Sequence, residues 1–193
     1  MSRELSTDEV AEDDELVRAA QHGDRASFGR LYEKYARMVH GLLLAKIPVQ
    51  EVDDLTQEVF IKAMARLASL RERKSFGAWL AAIARNLAMD YYRRAVPEEE
   101  WAEDFQERDP ASVRDGLDQD EAARALQVIR SLPETYRETL ILRLVEGMTG
   151  PEIAAHTGLT AGSVRVNLHR GMQQLREKLN AAPQKRREGE AIG

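Results

Sequence analysis

A stretch near the carboxyl end, from Leu144 to Leu179, has the pattern of two short helices joined by a tight turn. Thr149-Gly150-Pro151-Glu152 has the Thr-x-x-Glu spacing of a capping box, or else offers Gly150 as the cap with Pro151 in the first helical position. Either arrangement begins a helix at the same place. Thr157-Gly158-Leu159 then predicts the turn, because Gly158 tolerates a left-handed backbone that a side chain would resist. The stretch therefore predicts a helix-turn-helix unit.

The second helix of this unit begins at about Thr160 and is predicted to be amphipathic. Its apolar residues recur at spacings of three or four and should form one buried stripe: Val164, Leu168, Met172, Leu175 and Leu179. The residues expected to point outward are Arg165, Asn167, His169 and Arg170. Most lone amphipathic helices are ordinary solvated surface helices. A capped helix and a glycine turn before this one instead favour a recognition helix that enters a DNA major groove.

The remaining sequence is predicted to be all-α, because helical periodicity dominates and no strand alternation is evident. The chain has 193 residues, 43% of them hydrophobic and 32% charged, which is typical of a globular protein. The absence of cysteine excludes disulfides and thiolate zinc sites. The histidines His22, His40 and His156 lack neighbours at ligand spacing, so neither a metal nor another cofactor is predicted. Without an apolar run of about 20 residues or a signal peptide, no membrane insertion and a cytoplasmic location are expected.

Charge is distributed unevenly along the chain, although the formal net charge is only -5. Between Ala95 and Glu121 there are eleven acidic residues and two arginines, which gives -9. Between Thr160 and Arg187 there are seven basic residues and one glutamate, which gives +6. The acidic total therefore conceals a basic carboxyl end, where the predicted recognition helix lies.

These patterns predict two small helical domains joined by a flexible acidic linker. Residues 1–94 should hold four helices: from about Asp13 to Gln21, from the cap Asp24 to Pro48, from about Val49 to Leu70, and from the cap Ser75 onward. The third helix should have an apolar stripe at spacings of three and four that runs from Val52 and includes Met64. Residues 95–120 form the linker and include the isolated aromatics Trp101 and Phe105. Residues 121–180 form the helix-turn-helix domain, where Pro133 should begin a helix whose Leu140, Ile141, Leu144 and Val145 pack under the unit. Residues 181–193 are a predicted disordered tail.

Three motifs, in this order, resemble a known family. They are Asp53-Asp54-Leu55-Thr56-Gln57-Glu58-Val59-Phe60, the segment from Ser75 to Asn86, and Ser131-Leu132-Pro133-Glu134 with Glu152-Ile153-Ala154 and residues 163–170. With the acidic linker between the domains, they resemble the sigma-70 family of bacterial transcription initiation factors, specifically the extracytoplasmic-function (ECF) subgroup. The resemblance covers the chain from Asp13 to Leu179, and it implies that the second domain is a winged-helix-like fold of the sigma region 4 type.

The resemblance implies a role for each patch of the first domain. Asp54, Gln57 and Glu58 match the helix that binds the β′ clamp helices of core RNA polymerase. Asn86 matches a position near the unpaired downstream promoter strand, where an amide pairs with a flipped base. Arg71, Arg73 and Lys74 in the adjacent loop would contact phosphates. Trp79 could be a stacking platform for bases, although its spacing with Phe76 and Ile83 favours a core position.

In the second domain, the resemblance implies that Arg165, His169 and Arg170 face the upstream promoter element. Asn167 stands where many relatives carry arginine, and asparagine pairs with adenine whereas arginine favours guanine. The upstream preference should therefore be this protein's own. For the acidic linker two interpretations remain: a solubilising tether, or a segment that threads a polymerase channel as a phosphate mimic.

The sequence thus predicts a sigma factor that makes core RNA polymerase promoter-specific, with promoter DNA, the β′ clamp helices, the β subunit and an anti-sigma protein as partners. It does not predict an enzyme, because no nucleophile and base occur together and no phosphate-binding glycine loop is present. One alternative is a stand-alone helix-turn-helix regulator that binds operator DNA as a dimer. Another is a pure protein-interaction module, in which the basic face would be incidental.

Overall fold

The computed structural model describes residues 7–95 and 117–181, and every regular element in these ranges is helical. The N-terminal domain holds four helices, α1 (Thr7–Gln21), α2 (Arg25–Leu44), α3 (Val49–Arg66) and α4 (Phe76–Ala95), with short 3-10 turns at Leu67–Ser69 and Arg73–Ser75 between α3 and α4. The C-terminal domain holds α5 (Leu117–Arg130), α6 (Glu134–Leu144), α7 (Gly150–Thr157) and α8 (Ala161–Ala181). The predicted linker and tail lie largely outside the described residues, and the predicted domain boundaries stay predictions.

The helices of the N-terminal domain lie close to their predicted positions, but some of their ends differ from the prediction. Asp24 caps α2, and its carboxylate accepts a hydrogen bond from the backbone N–H of Ala26 at 2.9 Å. Helix α1 begins six residues before the predicted Asp13. Helix α3 ends at Arg66 rather than near Leu70, because its last turn tightens into the 3-10 turn.

The helix-turn-helix unit is formed by α7 and α8 as predicted. Thr149 and Glu152 make both bonds of the capping box: the Thr149 N–H donates to the Glu152 carboxylate at 2.6 Å, and the Glu152 N–H donates to the Thr149 hydroxyl at 3.4 Å. Gly158 ends α7 with a φ of 75°. These contacts fix the entry to α7 and the turn into α8.

Helix α6 packs under the helix-turn-helix unit with only two of the four residues that were predicted to do so. Leu140 and Ile141 are fully buried, whereas Leu144 and Val145 are about half exposed, so their predicted packing under the unit is wrong. Pro133 is the N-cap residue of α6 and not its first helical residue. The helix ends at Leu144, and Gly147 then turns the chain with a φ of 68°.

The two domains pack against each other, with α2 and α4 of the N-terminal domain facing α6 and α7 of the C-terminal domain. Their buried residues form one continuous hydrophobic cluster. Two glycines lie at the points of closest approach. A Cβ on Gly41 would lie 2.7 Å from Leu142 Cδ2, and one on Gly77 would lie 2.7 Å from the backbone oxygen of His156. The helices therefore meet across the domain boundary without an intervening side chain at these two positions.

Candidate nucleic-acid and polymerase interfaces

The recognition helix α8 starts at a side-chain cap on Thr160. The Thr160 hydroxyl accepts a hydrogen bond from the Ser163 N–H at 3.1 Å, and its carbonyl accepts one from the Val164 N–H at 3.0 Å. Beyond this cap, Arg165, His169 and Arg170 are all exposed to solvent. Three of the four residues predicted to face outward are therefore placed where a DNA groove could reach them.

Asn167 is the exception, because it is buried with only 7% of its surface exposed. The helix buries residues 164, 167, 171 and 175, so the stripe includes Asn167 at a spacing of three and then four. Gly171 allows this close packing, since a Cβ there would lie 3.1 Å from Leu140. The prediction that Asn167 points outward is wrong. Val166, which the sequence analysis had not assigned to DNA, is 43% exposed instead.

Asn167 also leaves one polar atom without a partner. Its side-chain Nδ2 is buried and makes no hydrogen bond within the described residues. A buried amide in this state destabilises the fold relative to an apolar side chain of the same size. A direct pairing of this amide with adenine is therefore not available in this arrangement of α8.

The predicted polymerase-binding residues lie on one exposed face of α3. Asp54 and Gln57 are exposed. Glu58 is partly buried and forms an ion pair with Lys62 at 2.9 Å, one helical turn along. Asp54 and Gln57 thus present polar groups to solvent, while the charge of Glu58 is partly satisfied by Lys62 on its own helix.

The same face continues into apolar residues that sequence reasoning missed. Ile61 is 68% exposed and Met64 is 54% exposed, although the periodicity of α3 had placed Met64 in the buried stripe. Residues 54, 57, 61 and 64 follow each other at spacings of three and four, which puts them on one side of the helix. We call these four residues the α3 face. The signal in the sequence was this spacing, read from Asp54 forward instead of from Val52.

The predicted single-strand site is only partly free in this structure. Asn86 on α4 is exposed, as are Arg71 and Lys74 in the preceding loop. Arg73 is engaged within the domain, because its Nε donates to the carboxylate of Asp14 at 3.0 Å. Arg73 is therefore not free for the predicted phosphate contact while it is bound to Asp14.

Trp79 belongs with the core, as its spacing favoured. It is partly buried and packs against the hydrophobic cluster, with its ring centroid 5.7 Å from that of Phe76. Phe76 in turn is fully buried and lies edge-on to Tyr35 at 5.2 Å. These contacts fix the start of α4, the helix that carries Asn86.

Arg85, the residue before Asn86, makes a contact that the sequence did not indicate. Its guanidinium donates from Nε at 3.1 Å and from Nη2 at 2.9 Å to the Glu138 carboxylate of the C-terminal domain. The Glu138 side chain is 9% exposed. A cation beside the proposed single-strand residue is thus neutralised by a buried carboxylate of the other domain.

Within residues 7–95 and 117–181, no group of three histidine, aspartate or glutamate side chains is arranged to hold a metal ion. In the same ranges, no helix has both the length and the apolar character needed to cross a bilayer.

Comparison with known proteins decides the family. Residues 31–97 match the family description "Sigma-70 region 2", and residues 122–175 match "Sigma-70, region 4". The chain is 30% identical to the ECF RNA polymerase sigma-E factor of Haemophilus influenzae over 86% of this chain and 95% of that protein. The chain belongs to the sigma-70 family. Its ECF sigma-E relative from Escherichia coli is 33% identical over 93% of this chain and 97% of that protein.

A solved structure supports the same assignment. The chain resembles CnrH, in the structure of CnrH in complex with the cytosolic domain of CnrY, with a TM-score of 0.61 and 27% identity over 89% of this chain and 99% of that one. As an ECF sigma factor, the protein directs RNA polymerase to promoters for transcription initiation. Sigma factors are non-catalytic polymerase subunits, so it is not an enzyme. The predictions of an all-helical fold and of a sigma factor are confirmed, and the stand-alone regulator is set aside.

Proposed function

We propose that the α3 face binds the β′ clamp helices of core RNA polymerase, with the β subunit as a second contact of the factor. The observation that carries this proposal is the composition of the face. Asp54 and Gln57 are exposed polar groups, and Ile61 and Met64 are large apolar groups left uncovered by either domain. An apolar centre beside oriented charges suits a protein partner, since burial provides affinity and charge sets the orientation.

Charge reversal on α3 tests this assignment. The double variant Asp54→Lys with Gln57→Lys should weaken binding to purified core polymerase by about tenfold or more, because like or unpaired charges at an interface cost several kcal/mol. Glu15→Lys with Gln127→Lys makes the same change in charge and is the matched control, since Glu15 is exposed on α1 and Gln127 is exposed on α5. Binding of the isolated proteins to promoter duplex should not change. If the double variant still binds polymerase and initiates transcription as well as the control, the assignment to the α3 face is wrong.

The DNA contacts are divided between two helices. Arg165, His169 and Arg170 on α8 bind the upstream element as a duplex, supported by their exposure along one helix of a helix-turn-helix. Asn86 on α4, with Arg71 and Lys74, binds the downstream strand after melting, and Arg73 joins them once it leaves Asp14. Asn86→Ala should reduce open-complex formation, measured by permanganate reactivity of unpaired thymines, while polymerase binding stays intact. Unchanged reactivity would remove Asn86 from this role.

We also propose that a protein antagonist binds this factor. We further propose that the chain acts in the cytoplasm, where polymerase works. CnrH forms a complex with the cytosolic domain of CnrY, and CnrH and this chain share the fold. The test is inhibition: a purified binding protein should stop initiation by this factor on its promoter and leave another sigma factor active on the same polymerase. A bound protein that leaves initiation unchanged would contradict an antagonist role.

A further inference from the structure

The contact between the domains is built around a buried carboxylate. Glu138 lies on α6 in the C-terminal domain, and its ion-pair partners belong to the N-terminal domain. They are Arg85 at 2.9 Å and Lys46, whose Nζ lies 3.6 Å from Glu138 Oε1. Lys46 also binds Glu134, one turn earlier on α6. Hydrogen bonding to Lys46 lowers the pKa of Glu134, so this carboxylate remains ionised in the contact.

The backbone of the N-terminal domain has features that fit this contact. Arg130 at the end of α5 donates to the carbonyl oxygens of Leu44 at 2.7 Å and Ile47 at 2.6 Å, at the carboxyl end of α2. A cation at this position complements the unpaired carbonyls of a helix end. With the close approaches at Gly41 and Gly77, this bond shows that the two surfaces fit each other and are not merely adjacent.

The covered cations lie next to the proposed single-strand surface. On α4, Asn86 belongs to an exposed row with residues 82, 89 and 93, whereas Arg85 belongs to the neighbouring row that meets the C-terminal domain. Lys46 is close to the same row, because its carbonyl accepts a hydrogen bond from the Tyr92 hydroxyl. Separation of the domains would therefore add two cations to the side of α4 that carries Asn86.

We propose that Glu138 and Glu134 act as an internal competitor for nucleic acid: they hold the domains closed by occupying Arg85 and Lys46, which bind DNA phosphate when the domains separate. A guanidinium binds a carboxylate and a phosphate through the same pair of N–H groups, so only one of them occupies Arg85 at a time. DNA binding and domain closure are then mutually exclusive at this point.

The chain between the domains is long enough for this exchange. Residues 96–116 join α4 to α5, and a segment of that length spans at most about 70 Å when fully extended. The domains can therefore part without breaking either fold. The apparent affinity for a single strand is the intrinsic affinity multiplied by the open fraction, so each loss of closure strengthens binding. This inference rests on the proposed role of α4 and adds the mechanism that regulates it.

The experiment breaks the same ion pair from its two sides. Glu138→Gln and Arg85→Ala should both open the domains, but only Glu138→Gln keeps the guanidinium that is proposed to bind phosphate. Glu15→Gln and Arg18→Ala make the same charge changes at exposed positions of α1 and serve as controls. Because the chain contains no cysteine, Ala68→Cys with Gln173→Cys gives one label in each domain for fluorescence energy transfer.

DNA binding is measured with an oligothymidine strand of about 20 nucleotides, which offers phosphates and stacking but little base readout. Glu138→Gln should bind it about 3- to 10-fold more tightly than the Glu15→Gln control, because a larger fraction is open. Arg85→Ala should bind more weakly than Glu138→Gln, and its salt-dependence slope should fall by about 0.7, the value for one lost phosphate contact on a single strand.

Two results would overturn the proposal. One is an energy-transfer efficiency in Glu138→Gln equal to that of the control. The other is an Arg85→Ala variant that binds the strand as tightly as Glu138→Gln with an unchanged salt slope. Glu134→Gln, at an exposed carboxylate, gives a second way to weaken closure if Glu138→Gln unfolds. All of these variants should still bind core polymerase. Energy transfer reports closure without DNA, so a failure of the closure contact is distinct from a failure of the proposed strand-binding role of α4.

Discussion

The two long helices assigned to DNA, α4 and α8, present their basic side chains in different ways. On α8, Arg165, His169 and Arg170 are exposed. On α4, Asn86 is exposed but the adjacent Arg85 is bound to Glu138 of the other domain. The closed arrangement therefore leaves the helix that we propose to read the duplex accessible, and it restrains the helix that we propose to bind the single strand.

The difference arises from what each helix packs against. Helix α8 buries its apolar stripe on α5, α6 and α7 of its own domain. Helix α4 packs on α2 and α3 of its own domain and on α7 of the other. A helix shared between two domains carries side chains whose exposure depends on closure. With the proposed roles of the two helices, the upstream duplex would be engaged first and the downstream strand would be bound after the domains part.

The largest expected effect comes from filling the gap at Gly41. The three heavy atoms nearest to a Cβ at this position all belong to Leu142 and Glu146 of the C-terminal domain. Gly41→Leu should therefore push the domains apart at a cost of about 1–3 kcal/mol, while the helix itself gains from losing a glycine. Energy transfer between the labelled domains should fall, and oligothymidine binding should increase.

Gly29→Leu is the matched control for this substitution. Gly29 lies on the same helix, and a Cβ there meets no atom within 4 Å. Both variants gain about the same helix propensity. If Gly41→Leu remains as closed as Gly29→Leu, the domain contact does not depend on this close approach. The close packing of the domains would then not explain why α4 is restrained and α8 is not.

The next largest effect concerns which residues of α8 read bases of the upstream duplex. Arg165→Ala should weaken binding to the upstream duplex by about 1–3 kcal/mol if Arg165 reads a base, and the loss should concentrate at one base pair. Asn167→Ala should leave base preference unchanged, because Asn167 is buried. The measurement is binding of both variants to a set of duplexes with single base-pair changes. A base-specific loss in Asn167→Ala would contradict its buried placement.

Local features were predictable from the sequence because short-range signals determine them. The capping box at Thr149, the turn at Gly158 and the cap at Asp24 each depend on residues within a few positions. Asn167 was predicted wrongly because residues 167 and 168 both lie near the edge of the stripe, and a polar residue was expected outside. Gly171 was the available signal, since a helix that buries a glycine approaches its neighbour closely.

The contact between Arg85 and Glu138 was not predictable in this way. The two residues are 53 positions apart and belong to different domains, so no periodicity links them. The exposure of Leu144 and Val145 has the same origin. Apolar spacing shows that a helix has a buried side, but which neighbour covers that side depends on the packing of the whole molecule.

A smaller effect is expected from the cap of α7. Thr149→Ala removes one bond of the capping box and should lower the free energy of unfolding by about 1 kcal/mol. Thr135→Ala, at an exposed position on α6, is the control. Since α7 packs on both α8 and α4, duplex binding and closure should both weaken slightly. Equal thermal denaturation midpoints in the two variants would show that the cap contributes little.

The smallest expected effect is a pH dependence of closure that arises from two histidines with opposite shifts. The Nδ1 of His40 lies 2.7 Å from the Glu146 carboxylate across the domain boundary, with Asp53 at 3.7 Å from Nε2. The hydrogen bond to Glu146 raises the pKa of His40, against a smaller effect of burial. Its contribution to closure is fully present below the open-state pKa of about 6.5 and is lost as pH rises through the raised value.

His156 acts in the opposite direction. Its ring packs on Tyr35 with centroids 4.7 Å apart, and its Nδ1 is buried without a hydrogen-bond partner among the described residues. Burial lowers the pKa of His156, assisted by the positive charges of Lys34 and Arg37 and opposed by Asp13 and Glu152. Its neutral form supports closure above a pH of about 6.5, and that support is lost as pH falls through the lowered pKa.

Together these shifts predict that closure is strongest near a pH of about 6.5 and weakens on both sides. Energy transfer between the labelled domains, measured from about pH 5 to about pH 8, should follow a shallow bell-shaped curve. His40→Gln should remove the alkaline limb, because it deletes the group that must stay protonated, whereas His156→Gln should remove the acidic limb. His22→Gln, at an exposed residue of the N-terminal domain, should leave both limbs in place. If the same limb of the curve remains in both His40→Gln and His156→Gln, groups outside the domain boundary control closure. In that case, α4 is restrained by something other than the contact with α6 and α7.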